Sequence, residues 1–251
     1  MKSITFVLLL LALFVVEAES QRRAVKVPTG RTALVQNSSH TAIVMDETIS
    51  LLRREPSLYA DAIQRMRRGR KVRIVGVKEA DGVRFFRVVA VPPAEGWVQA
   101  DAVFSERRPE DEERLARLVQ ALSGFEQIEA AVHFFRMYPN SRLKPAILLL
   151  FGDALEDTAS RLSRDANNRL DRRQMAASGA PPHSYFLNFV SLDRYRRLGI
   201  TFLFNPSTRR FHYNGTAWRE ITEKYSSAPE ASEAAERLGT LSQKMSALAE
   251  K

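Results

Sequence analysis

Asp153, Glu156 and Asp157 stand at i, i+3 and i+4, so in a helix they share one face. Clustered carboxylates can work as general acid and base or hold calcium. The commoner arrangement at this spacing is a solvated face closed by a neighbouring cation, here Arg161, and that is the expectation for this segment. The four histidines, His40, His133, His183 and His212, are widely separated. None forms an HExxH pair or puts two metal ligands on one helical turn. His133, beside Phe134 in an amphipathic stretch, reads as a packed or partly exposed ring rather than a ligand. No Gly-x-Ser-x-Gly elbow and no Walker-type phosphate loop occurs. Cysteine is absent, which removes thiolate metal sites, cysteine nucleophiles, disulfides and a lipidated cysteine. The expectation is therefore no catalytic set, no metal and no cofactor.

The elements that would position any binding residues fall into two textures. Val72-Arg73-Ile74-Val75-Gly76-Val77 alternates apolar and polar residues and meets a turn at Ala80-Asp81-Gly82. A second apolar run, residues 83–91, follows. Asp-Gly between two such runs is a strong hairpin signal. Pro92-Pro93-Ala94-Glu95 reads as a loop and Gly96-Trp97-Val98 as a short third strand. Residues 42–45 and 50–53 make two earlier strands about the turn Asp46-Glu47, with 58–66 expected as a longer loop or helical turn. Alternation sends only one of Phe85 and Phe86 inward and leaves the other for binding or for covering a neighbour.

After Glu106 the period changes. Residues 107–113 read as a charged linker or helix start; Leu115, Leu118, Val119 and Leu122 then recur at helical spacing. Ser123-Gly124-Phe125-Glu126 fits a capping box for a helix that stops before Pro139. Two further helical stretches cover 146–156 and 158–173, another 185–198, and the last two 218–225 and 230–248. Residues 200–204 and 210–213 form a hairpin, and the small, Pro- and Gly-containing 176–182 is expected to be a mobile surface segment.

Ser50-Leu51-Leu52-Arg53-Arg54-Glu55-Pro56-Ser57, then Arg68-Gly69-Arg70-Lys71-Val72, then Gly96-Trp97-Val98 resemble, in order and spacing, the bacterial Src-homology-3 (SH3b) family over about residues 41–104. The resemblance implies a barrel of about five strands, with Val72, Ile74, Val88 and Val98 in its core and Gly96 at a tight bend. Trp97 is then either a packing residue or, with Tyr59 or Phe85, part of a ligand-binding groove for peptide or glycan. Phe134-Phe135-Arg136-Met137-Tyr138-Pro139-Asn140-Ser141, echoed at residues 221–231, is similar to the joins of tetratricopeptide-type helical hairpins. Two irregular units imply a bundle, not a solenoid. The fold class expected is thus α+β: a small SH3-like β-barrel over 32–105, then an α-helical hairpin bundle with one β-hairpin over 109–250.

Residues 4–16 form an apolar run behind Lys2, with Thr5 its one polar residue, the length of a signal-peptide core and short for a membrane span. Residues 1–20 are expected to be a signal peptide cleaved near Ala18 or Ser20, which makes the protein periplasmic or secreted; an uncleaved anchor is the alternative. Of the net charge of +9, an excess of seven falls within residues 21–105, a balance suited to an anionic surface or simply to a solvated one. The expected function is an exported, non-enzymatic binding or scaffold protein whose barrel recognises cell-wall peptide or an envelope protein. The alternative is a cell-wall hydrolase or accessory factor targeted by the barrel. No nucleic-acid partner is expected.

Overall fold

The computed structural model describes residues 40–246. The signal peptide expected over 1–20 and the linker over 21–31 lie outside the described residues, as does the end of the last expected helix.

The first half is a sheet. Its strands are β1 (His40–Val44), β2 (Leu51–Arg53), β3 (Ala62–Arg65), β4 (Lys71–Ala80), β5 (Val83–Ala90), β6 (Ala94–Gln99) and, after a single 3-10 turn at Ala100–Ala102, β7 (Val103–Phe104). The β4–β5 hairpin turns on Asp81 and Gly82, both in the left-handed region (φ 53° and 71°), as a tight two-residue turn requires. Alternation along β4 and β5 buries Val72, Ile74, Phe86, Val88 and Ala90 on one face. They meet Leu52, Met66 and Val98 in one core, which includes all four core residues expected from the sequence.

The sheet order is β3-β2-β6-β5-β4-β1-β7, with every pairing antiparallel. It is open, which corrects the expectation of a closed barrel. Closure needs the two outer strands to hydrogen-bond each other. Here the two residues of β7 pair only with β1, and β3 pairs only with β2. β3 itself lies within the stretch expected to be loop or helical turn.

The second half is helical around a larger core. Its elements are α1 (Glu110–Ala121), α2 (Gly124–Met137), α3 (Lys144–Arg169), α4 (Arg172–Ser178), α5 (Pro182–Leu187), a 3-10 turn (Val190–Leu192), α6 (Asp193–Arg196), the hairpin β8 (Phe202–Asn205) and β9 (Arg210–Tyr213), α7 (Thr216–Lys224) and α8 (Glu230–Ser246). The two stretches expected on either side of residue 157 are one continuous helix, because nothing between them breaks it. The helix expected over 185–198 is instead interrupted. Phe186, Phe189, Leu192 and Tyr195 are all buried at a spacing of three. In one α-helix that spacing would rotate each side chain by about 60° from the last, so a continuous helix could not hold all four on the core. Within the stretch expected to be a mobile surface segment, residues 176–178 close α4 with Gly179 as its left-handed C-cap, and every residue of 176–182 is exposed.

The junction is fastened, not a free linker. Asp111 is fully buried and accepts from the Ser105 backbone N–H at 2.8 Å, Arg108 Nε at 2.6 Å and Arg114 Nη1 at 2.6 Å. Met45 and Phe104 belong to the helical core although they come from the sheet half. No helix among the described residues is long and apolar enough to cross a membrane.

Candidate functional site

On the outer face of the sheet, Arg53, Trp97 and Arg87 stand directly opposite one another on β2, β6 and β5. Directly opposed residues share a face, so these three make one row, with Leu52, Val98 and Val88 pointing the other way into the core. Gly96 permits the close approach of β2: a Cβ there would sit 2.5 Å from the Arg53 carbonyl oxygen and 2.9 Å from Ile63 Cδ1. Trp97 is partly buried, between its two arginine neighbours.

The loop joining β2 to β3 carries Tyr59, which is 89% exposed. That loop is tied down at both ends and in the middle. Arg54 N–H donates to the Asp61 carbonyl at 3.0 Å, and Arg53 Nη1 donates to the Ala60 carbonyl at 2.7 Å. Asp81, in the distant β4–β5 turn, accepts from Ser57 Oγ at 2.7 Å and from the Leu58 N–H at 2.8 Å, and the Ser57 hydroxyl accepts from the Tyr59 N–H at 3.1 Å. The hydrogen bond from Ser57, then that from Leu58, holds the Asp81 carboxyl below its ordinary range. An aromatic ring fully offered to solvent therefore rides on a fixed loop. Arg53 connects it to the row of Trp97.

Phe85, the third aromatic expected at this surface, is not part of it. It is fully buried, and its neighbour Phe86 is buried as well. Consecutive strand residues point to opposite faces, so both faces of β5 are covered at this point and neither ring can meet a ligand.

The carboxylate face of α3 is occupied by partners that sequence spacing did not supply. Asp153 pairs with Arg237 at 3.1 Å. Glu156 accepts from His212 Nδ1 at 3.0 Å, from Lys244 Nζ at 2.7 Å and from the Tyr213 N–H at 2.8 Å. Burial alone would raise the Glu156 carboxyl; the three hydrogen bonds outweigh it and hold it at about 2. Arg161, the expected partner, turns to Thr158 Oγ1 instead. No group of three or more His, Asp or Glu side chains among the described residues could hold a metal ion.

A concave surface elsewhere escaped the sequence reading. Arg164, Arg172, Arg209 and Arg210, spread over 47 residues of sequence, line one cleft of about 740 Å³ with Lys244. No motif links them; only the return of the β8–β9 hairpin onto α3 brings them together.

Comparison with known proteins matches no family model, no curated protein and no solved structure.

Proposed function

We propose that this chain is an exported, non-enzymatic binding protein whose sheet half is an SH3-like module for peptide. The SH3-like reading is supported by the order of the pieces. β2, β6, β5, β4 and β1, strands over which the resemblance runs, follow one another across the sheet around a single core. The Leu-Arg-Arg-Glu-Pro-Ser stretch falls on β2 and its loop, and Gly-Trp-Val on β6, side by side. Export rests on the apolar run at residues 4–16. The helical half, similar at two joins to tetratricopeptide hairpins, serves association.

The observation that carries the binding role is Tyr59. A large ring at near-complete exposure has no part in the core, and a loop fixed by five hydrogen bonds presents it on a backbone already ordered before a ligand arrives. Exposed, rigid tyrosines and partly exposed tryptophans are the residues that anchor peptide interfaces. β3 adds an unpaired strand edge beside the ring, along which an extended peptide could lie. The ligand favoured is an extended peptide of the cell wall or of an envelope protein.

The test is retention of the mature protein on purified peptidoglycan and on an array of envelope-protein peptides. Retention by one of the two that Tyr59→Ala and Trp97→Ala both abolish is the expected result. Retention untouched by either substitution, or none on either material, overturns the reading.

A further inference from the structure

We propose that the cleft between α3, the β8–β9 hairpin and the end of α8 binds a phosphorylated sugar or polyol through its arginines. The site lies in the helical half and is independent of the peptide surface around Tyr59.

Charge carries the first step. Arg164, Arg172, Arg209 and Arg210 all line the cleft, and none closes on an Asp or Glu among the described residues. The contrast is local: Arg169, between Arg164 and Arg172 in sequence, pairs with Asp165 at 2.8 Å. The one carboxylate in the lining, Glu156, is already held by Lys244, His212 and the Tyr213 N–H. Four arginines therefore line one concave volume with no Asp or Glu among the described residues left to pair with them. Guanidinium forks match phosphate oxygens two at a time, and a phosphoryl group concentrates nearly two negative charges on three acceptors.

Rigidity carries the second step. The walls are joined by buried polar groups, so the positive field does not depend on the ligand to assemble it. Asn205, fully buried in β8, donates to the Lys244 carbonyl at 3.0 Å and accepts from the Thr208 N–H at 3.1 Å, which locks the hairpin turn to α8. Ser163 Oγ, buried in α3, accepts from the Phe211 N–H at 2.8 Å. Asn167 reaches from α3 to the Arg209 carbonyl at 2.9 Å, and Arg209 sits at φ 53°, a left-handed conformation that few non-glycine residues adopt. Two consecutive arginines are thus presented at a fixed turn, opposite the two on the helical wall.

The rest of the lining narrows the ligand. A volume of about 740 Å³ is that of a small-molecule site. Phe211 is the one apolar side chain in it; Ser160, Asn168 and Thr208 supply hydroxyl and amide groups. The polar groups are spread around the lining, so the hydroxyls of a sugar or polyol would find hydrogen bonds there. The same chemistry occurs in a free sugar phosphate and in one unit of a polyol-phosphate polymer.

Isothermal titration of the mature chain distinguishes these. The probes are fructose 1,6-bisphosphate, a short glycerol-phosphate oligomer, unphosphorylated fructose and citrate, all at physiological ionic strength. We expect saturable binding of a phosphorylated probe, roughly tenfold or more tighter than citrate, and none of fructose. Tighter binding of the oligomer makes the polymer the source; tighter binding of the bisphosphate makes it the free sugar phosphate. Arg164→Gln with Arg210→Gln should weaken it at least about tenfold with an unchanged melting temperature, since both side chains are exposed, while Arg84→Gln on the sheet should leave it as it was. Equal binding of citrate, full affinity in the double variant, or no saturable binding at millimolar probe overturns the proposal. Tyr59→Ala should not alter any of these titrations, so a failure of the peptide reading leaves this one standing.

Discussion

The indole of Trp218 lies flat over Gly152, so that α7 touches the backbone of α3 with no side chain between them. A Cβ on residue 152 would fall 2.7 Å from Cε2 and 2.8 Å from Cδ1 of that ring. Trp218 is 2% exposed and lies in the helical core with Phe151 and Tyr213, the latter edge-on to it at 5.4 Å. Neither partner has room to retreat.

Gly152→Ala should therefore destabilise the protein. Overpacking of this kind costs about 1–3 kcal/mol, against a gain of about 1 kcal/mol from replacing a mid-helix glycine. Gly239 on α8 is the matched control, exposed, with nothing within 4 Å of a Cβ. Gly239→Ala should stabilise by up to about 1 kcal/mol. Thermal melts of the two variants should move in opposite directions; a rise for both would show that Trp218 shifts freely.

Gly152 marks where the sequence stops being informative. Local patterns were legible: the Asp81-Gly82 turn, the stop of α2 before Pro139 and the β8–β9 hairpin are all set by neighbours in the chain. The four sheet-core residues expected with the resemblance do share one core, and alternation along each strand is what puts them there. What the sequence hid is decided between distant segments. β3 exists because β2 offers it an edge, not because Ala62-Ile63-Gln64-Arg65 is a strong strand sequence. Phe85 and Phe86 obey alternation, yet both are buried because both faces are covered. The arginine cleft lies in the half with the smaller charge excess, since what matters there is how few carboxylates share its walls.

Arg68 fastens sheet to helices. Its side chain is 3% exposed, donates to the Met45 carbonyl at 2.9 Å and reaches Glu126 at 3.4 Å and Glu129 at 3.5 Å. Burial raises the Glu129 carboxyl and the Arg68 charge opposes that rise. Arg68→Met would leave Glu129 half-buried without its cation and the Met45 carbonyl without its donor. Removing one partner of a buried pair costs about 3–5 kcal/mol; Glu126 is well exposed and should contribute little. The midpoint of urea unfolding should fall accordingly, and an unchanged midpoint would mean the junction holds without this ion.

Phe134 and Phe135 separate a core contact from a covering one. Phe134 is fully buried and lies 5.6 Å from the Tyr138 ring, while Phe135 is only partly buried, edge-on to Phe151 at 5.4 Å. Phe134→Ala should cost about 3–5 kcal/mol and Phe135→Ala distinctly less. Denaturation curves for the pair check this directly; equal losses would place Phe135 in the core on equal terms.

His133 makes stability depend on pH in a definite direction. Burial, then the charges of Arg136 and Arg68, push its pKa down from 6.5 to about 4. In the unfolded chain it takes up a proton near its ordinary value, but in the folded protein it stays neutral until about 4. Between those values the unfolded state binds more protons, so stability is fully present above about 6.5 and is lost as the pH falls toward 4. Glu156 extends the loss to lower pH, because its carboxyl is held at about 2 against an ordinary 4.5. Glu129 is raised and works in the opposite sense, so the profile of the native protein alone does not isolate His133. The comparison that does is His133→Gln against the native chain. The drop in urea midpoint between pH of about 7.5 and about 5 should shrink in the variant, while the further drop below about 4, to which Glu156 and the likewise lowered Asp81 contribute, should remain. Identical profiles for the two proteins would show that His133 titrates as freely in the folded state as in the unfolded one.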